Sequence, residues 1–194
     1  MSQEPALKDL ESMEDVWEAF RPELIEVEGQ ITKHLHSHAP LINTVAGHIF
    51  ASGGKRIRPL LLILCARLCG YLQKDFLLLG SLIEFIHTAT LLHDDVLDEA
   101  DLRRGKPTAR KIWGNQASIL VGDYLYSQAM ALIATFHNHG INEALADACR
   151  KMAEGEVLQL CANSQPDLSE AAYLQIVEYK TAALITTSYK IKTI

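Results

Sequence analysis

The sequence predicts an all-α fold, a single domain over residues 1–194 built from long antiparallel helices. Three observations predict it. Apolar residues recur at alternating steps of three and four almost everywhere, as in Leu10, Met13, Trp17, Phe20, Leu24, Val27, Ile31 and Leu35. That spacing draws one stripe along a helix. No segment alternates apolar and polar residues between hairpin turns. Proline and glycine punctuate the periodic stretches.

The elements follow in order. Pro22 interrupts the first stripe and predicts two helices or a kink. Pro40 suits the first turn of a helix running to about Ala51, and Gly53-Gly54 then breaks the chain. Pro59 opens a Leu-rich helix to Gly70. A long helix follows from about Phe76 to Asp101. Gly105, Pro107 and Gly114 mark a loop, with Gly105 ending the long helix. Further helices are expected over 116–138, 141–162 and 169–189.

Composition bounds the function. Hydrophobic residues make up 48% and charged residues 22%, as in a globular chain. The net charge of -6 is poorly suited to nonspecific nucleic-acid binding, so affinity for phosphate must come from a local basic cluster. The N-terminus carries acids where a signal peptide needs basic residues. The strongest apolar run, Leu60 to Ala66, is shorter than the roughly 20 residues that cross a bilayer. A cytoplasmic protein without stable membrane insertion is expected. Cys65 and Cys69 stand one helical turn apart and are expected in the core; no zinc-type spacing occurs.

The stretch from Ile83 to Thr108, IEFIHTATLLHDDVLDEADLRRGKPT, carries the chemistry. On a helix His87, Thr90, Asp94, Asp98 and Asp101 share one face amid apolar neighbours. Like charges one turn apart repel, and more so inside a bundle, unless cations neutralise them. Mg²⁺ is the natural partner, because it takes carboxylate oxygens and holds phosphate oxygens on its other positions. The plain alternative is a solvated acidic helix end, against which the apolar flank argues. Arg103, Arg104 and Lys106 follow directly, and arginine matches phosphate through a planar fork. A second basic cluster, Gly53-Gly54-Lys55-Arg56-Ile57-Arg58-Pro59, precedes a helix N-terminus. Two anion sites beside one metal site would suit two diphosphate substrates.

GGKRIRP and LLHDDVLDEADLRRGKPT closely resemble signature blocks of the trans-isoprenyl diphosphate synthases, the octaprenyl-like and solanesyl-like members above all. IEFIHTATLLHDD, NQASILVGDYLYSQA, AEGEVLQL and EYKTAAL resemble further blocks in the same order. The resemblance implies an isoprenoid-synthase bundle around a central cavity. It implies a prenyltransferase that joins isopentenyl diphosphate to an allylic diphosphate with Mg²⁺, and a homodimer at full length. Asp94 and Asp98, with Asp95 between them, would hold Mg²⁺ against the allylic diphosphate, which Arg103 would also contact. Lys55, Arg58, His87 and Arg104 would bind isopentenyl diphosphate. Lys180 and Thr181 would support the allylic substrate, and Gln159 would face the cavity. Short-chain members carry bulky aromatics four or five residues before the first aspartate. Thr90 and Ala89 are small there, which implies a product beyond geranylgeranyl length.

The family also has a second aspartate-rich motif beyond the Lys-Thr pair, and this sequence carries none. Its tail, ITTSYKIKTI, departs from the family pattern. A truncated or frame-shifted chain lacking the C-terminal helices is expected, with little or no activity alone. The competing expectations are a non-catalytic partner subunit of a heteromeric synthase, a terpene cyclase, and a plain helical interaction protein. The GGKRIRP loop argues against a cyclase, which needs no isopentenyl diphosphate site. His34, His36 and His38 do not share a helical face, so an exposed stretch is expected in place of a metal site. His137 and His139 suit a helix C-terminus, and Trp17 and Trp113 suit core or loop anchors.

Overall fold

The structure, a computed structural model, describes residues 11–71, 73–163 and 167–190. Leu10 of the first apolar stripe and the last four residues of the tail lie outside them. Helix α1 (Met13–Ala19) opens on a capping box, in which the Ser12 hydroxyl accepts from the Asp15 amide and the Asp15 carboxylate accepts from the Ser12 amide at 2.8 Å. Phe20 separates it from α2 (Arg21–His34). Two helices form, as expected, and Pro22 sits in the first turn of the second, where its missing N–H costs nothing. Pro40 begins α3 (Pro40–Ala51). Helix α4 (Ile57–Leu68) starts two residues before Pro59, after Arg56 in the left-handed region at φ 47°.

Helix α5 (Asp75–Leu97) ends earlier than its sequence suggests. Glu99 takes the left-handed position at φ 51°, the Ala100 amide donates to the Asp95 carbonyl at 2.9 Å, and the Glu99 amide donates to the Val96 carbonyl. This is a Schellman turn with glutamate where glycine is usual. Asp101 therefore leaves the acidic face and pairs with Lys111 at 2.8 Å and Arg110 at 3.2 Å. Gly105 does not end the helix. With Arg104 it turns a short antiparallel hairpin, β1 (Leu102–Arg103) against β2 (Lys106–Pro107), which lacks the alternation needed to be read as strands.

Thr108 caps α6 (Ala109–Ile133), which bends sharply at Gly114, φ 85°. The expected loop is thus shortened to the hairpin before Thr108, and its Gly114 end becomes a kink within α6. Asn138 caps α7 (His139–Ala162). His139 opens that helix, so the expected C-terminal dipole contact does not apply to it. The final segment is α8 (Glu170–Val177), a π-turn over Glu178–Ala182, and α9 (Ala183–Lys190).

Helix α5 is the centre of the bundle and packs against α2, α4 and α6. Its Leu82, Ile83, Phe85, Ile86 and Leu92 are fully buried, with Val27, Leu60, Ile63, Leu125, Leu145 and Leu184 around them. Each such side chain contributes about 1.5–3 kcal/mol of burial. By length and composition alone, α5 and the stretch Ala109–Phe136 are apolar enough to cross a membrane, although neither contains a long uninterrupted apolar run. The α5 window is 72% buried, as in a core helix. Cys65 is half-buried and Cys69 is exposed at the end of α4, so the expected core placement fails for Cys69. His36 and His38, beyond α2, are exposed as expected, whereas His34, the last residue of α2, is half-buried. Trp113 stacks edge-to-face on His48 at 5.2 Å.

Candidate active site

Two cavities flank the C-terminal half of α5, and Arg58 and His87 line both. The smaller, about 150 Å³, is bounded by Gly53, Gly54, Lys55 and Arg104. Arg104 reaches back from the hairpin to donate to the Gly53 carbonyl. Trp17 donates its indole N–H to the Lys55 carbonyl at 2.9 Å, so this tryptophan anchors the basic loop. Arg58 Nε is buried without a hydrogen-bond partner. Burial pushes the Arg58 pKa down, against the pull of Glu84. Burial, and then Arg58 with the three neighbouring arginines, push His87 down to about 3, so its imidazole is neutral. This is a cationic pocket with donors to spare, suited to an anion.

Arg56, in the same loop, also lines this cavity, together with Glu84, but its guanidinium is already engaged. Its guanidinium meets the buried Glu84 carboxylate at 3.1 Å and Glu28 at 3.4 Å, and lies 5.9 Å from the Phe50 ring centre. Burial raises Glu84, while the arginines oppose that shift. Arg56 thus fixes the loop, and Lys55, Arg58 and Arg104 remain for a ligand.

The larger cavity, about 550 Å³, lies between α5, α6, α7 and the π-turn. That size is typical of small-molecule sites. Ala89, Thr90 and Asp94 line its α5 wall, and Lys180 and Thr181 line the opposite one. Thr90 turns its hydroxyl onto the His87 carbonyl at 2.7 Å, leaving its methyl side for the cavity. Lys180 Nζ lies 2.7 Å from Glu156 Oε1 and 3.9 Å from Asp94 Oδ2. Burial first, then the Glu156 charge, push Asp94 up to about 6; Lys180 opposes and Asp98 adds to the rise. Asp98 is the C-cap of α5, exposed and outside the cavity lining.

Asp95 departs most from expectation. It is 1% exposed, and Arg103 donates to its Oδ1 through Nε at 2.9 Å and Nη2 at 2.8 Å. It ties the hairpin to α5 and does not line the cavity. Gln159 is half-buried and also outside the lining. Among the described residues, no group of three or more His, Cys, Asp or Glu side chains is gathered to hold a metal alone.

Sequence reasoning missed Glu156 and His93. Glu156 belongs to the AEGEVLQL block, but nothing local signals its pairing with a lysine two helices away. His93 lines the cavity, lies 3.2 Å from Asp123 Oδ1, and packs where a side chain on Gly122 would have to go.

An all-α bundle with acidic groups at the end of its central helix, over a largely apolar cavity and beside a cationic one, is the architecture of the isoprenoid synthases. Comparison with known proteins identifies the family. Residues 39–194 match polyprenyl synthetase, and the chain belongs to that family. It is 43% identical over 177 residues to the octaprenyl diphosphate synthase of Haemophilus influenzae, covering 91% of this chain and 54% of that protein. It is 44% identical over 155 residues to an all-trans-nonaprenyl-diphosphate synthase of Rhodobacter capsulatus, covering 79% of this chain and 48% of that protein. A solved polyprenyl synthase from Caulobacter crescentus, complexed with calcium and isoprenyl diphosphate, superposes with a TM-score of 0.90 at 42% identity, covering 93% of this chain and 55% of that one. The chain spans about half the length of the curated relatives it matches.

Proposed function

We propose that the protein carrying this chain is a prenyltransferase that condenses isopentenyl diphosphate with an allylic diphosphate into a long-chain all-trans polyprenyl diphosphate. The observation that carries this reading is the partition of the site. Arg58 and His87 separate a cationic cavity from an apolar one whose mouth holds Asp94 and Lys180. Isopentenyl diphosphate suits the cationic side, where the Arg58 guanidinium lines the cavity and exposed Lys55 is available to its phosphates. The allylic tail suits the apolar side, with its diphosphate at the mouth.

The carboxylates fit Mg²⁺. Burial first, and then the nearby Glu156 and Asp98 charges, raise the Asp94 pKa, and a divalent cation would offset both the lost hydration and the like-charge repulsion. Asp94 and Asp98 would hold the ion, and Mg²⁺ characteristically completes so small a protein ligand set with phosphate oxygens and water. When bound, it supplies positive charge where the departing diphosphate gathers negative charge. Lys180 adds charge at the same mouth. The apolar lining excludes water, which would quench a cationic allyl group. Ala89 and Thr90 leave the cavity open beneath Asp94, which favours a long product. Calcium and isoprenyl diphosphate in the Caulobacter crescentus relative support the same ligand classes. Exposed Ile119 and Leu120 on α6 suit a homodimer.

Titration calorimetry with farnesyl thiodiphosphate and Mg²⁺, together with radiolabelled isopentenyl diphosphate incorporation by the protein that carries this chain, tests the reading. Asp94→Ala with Asp98→Ala is expected to weaken metal-dependent binding at least about tenfold and to abolish condensation. Unchanged affinity and turnover in that double variant would overturn it.

A further inference from the structure

Lys180 is held by a feature that the sequence does not announce. The helix carrying it widens into a π-turn over Glu178–Ala182, a distortion that often marks functional sites. The π-turn presses on α7 at Gly155. A Cβ added there would lie 2.7 Å from the Lys180 backbone nitrogen and 3.1 Å from its Cα. Only glycine permits that approach without moving one helix. Glu156, the next residue, then receives the Lys180 ammonium at 2.7 Å. The pair is partly shielded, with side chains 24% and 27% exposed, so it is stronger than an open surface ion pair. Asp94 is farther, at 3.9 Å, so Glu156 is the carboxylate that fixes where the ammonium sits.

We infer that Gly155 and Glu156 are positioning residues for the diphosphate end of the allylic substrate. Gly155 seats the π-turn against α7, and Glu156 holds the flexible Lys180 side chain at the cavity mouth beside Asp94. The inference rests on the prenyltransferase reading, because it takes Lys180 as a group that meets the diphosphate. A lysine left free would spread over many rotamers and reach the mouth only part of the time. A purely structural role, in which Glu156 merely neutralises a half-buried lysine, predicts something different. It predicts lost stability with no preference between the two substrates.

The test compares two ligands on the same variants in the presence of Mg²⁺: farnesyl thiodiphosphate for the mouth and isopentenyl diphosphate for the cationic cavity. Glu156→Ala and Gly155→Ala are each expected to weaken farnesyl thiodiphosphate binding about tenfold, and Glu156→Asp to recover part of that loss. Isopentenyl diphosphate affinity and far-ultraviolet circular dichroism should stay at parental values. The inference is overturned if Glu156→Ala binds farnesyl thiodiphosphate like the parent while Lys180→Ala does not, since Lys180 would then find its place unaided. It is overturned equally if Lys180→Ala binds like the parent, or if Glu156→Ala and Glu156→Gln lose both ligands alike along with helicity. A parent that binds neither ligand would sink the prenyltransferase reading itself.

Discussion

Arg103 grips Asp95 through two nitrogens on one carboxylate oxygen, at 2.8 and 2.9 Å, and so closes the β1–β2 hairpin onto the end of α5. Asp95 is buried and Asp98, three residues on, is exposed. Of the three aspartates of the motif, Asp94 thus lines the larger cavity, Asp95 ties the hairpin to α5, and Asp98 lies exposed at the helix end. Asp95→Ala should cost about 2–4 kcal/mol, because it strands a partly buried guanidinium. That corresponds to a fall in Tm of roughly 5–10 °C by differential scanning calorimetry. Asp98→Ala should leave Tm within about 2 °C or raise it slightly, since an acid at a helix C-terminus opposes the dipole. Equal losses for both would show that Asp95 has no structural role of its own.

Trp17 lies outside the residues of the family match, yet its indole N–H holds the Lys55 carbonyl. Trp17→Phe keeps the packing and removes the hydrogen bond. Isopentenyl diphosphate affinity should fall a few-fold, the equivalent of about 0.5–1.5 kcal/mol, with helical content unchanged. Calorimetry that finds parental affinity would remove the anchor from the account.

His87 gives a pH signature. Its pKa is about 3 folded against 6.5 as an unperturbed imidazole. A depressed histidine means that the unfolded chain binds the extra proton first. Stability is therefore lost as pH falls below about 6.5, and continues to fall towards 3. Asp94 acts in the opposite sense, because its pKa is raised. The comparison that isolates His87 is parent against His87→Gln. Between pH 7.5 and 5 the parent should lose about 2 kcal/mol more than the variant, roughly 5 °C in Tm. Parallel Tm curves would mean that His87 titrates normally.

Ala89 and Thr90 line the cavity wall beneath Asp94. In the protein that carries this chain, Ala89→Tyr and Thr90→Tyr should each shorten the polyprenyl product, read by chromatography of the dephosphorylated alcohols. An aromatic ring of this size fills the path that a growing tail would follow. Ala89, at 1% exposure, has less room to give, so its variant should also lose more thermal stability than the Thr90 variant. Unchanged product length in both would move the length control elsewhere.

The sequence by itself determined the helical class and most of the helix starts. It also determined the identity of the charged groups around the site. Those features are local: apolar spacing repeats within a turn or two, caps and prolines act on their own helix, and the Asp94–Asp98 step is a matter of helical pitch. Tertiary structure decided what each charge does. Arg56 and Arg58 are two residues apart in one loop, yet one closes on Glu84 and the other keeps a free Nε, because only the packing of α4 on α5 brings Glu84 within reach. Asp101 lost its place on the acidic face to a Schellman turn at Glu99, where no glycine announces one. The Glu156–Lys180 pair joins α7 to a π-turn, an arrangement fixed by a glycine contact between helices. Such pairings depend on which surfaces meet in space, and spacing along one helix cannot encode them.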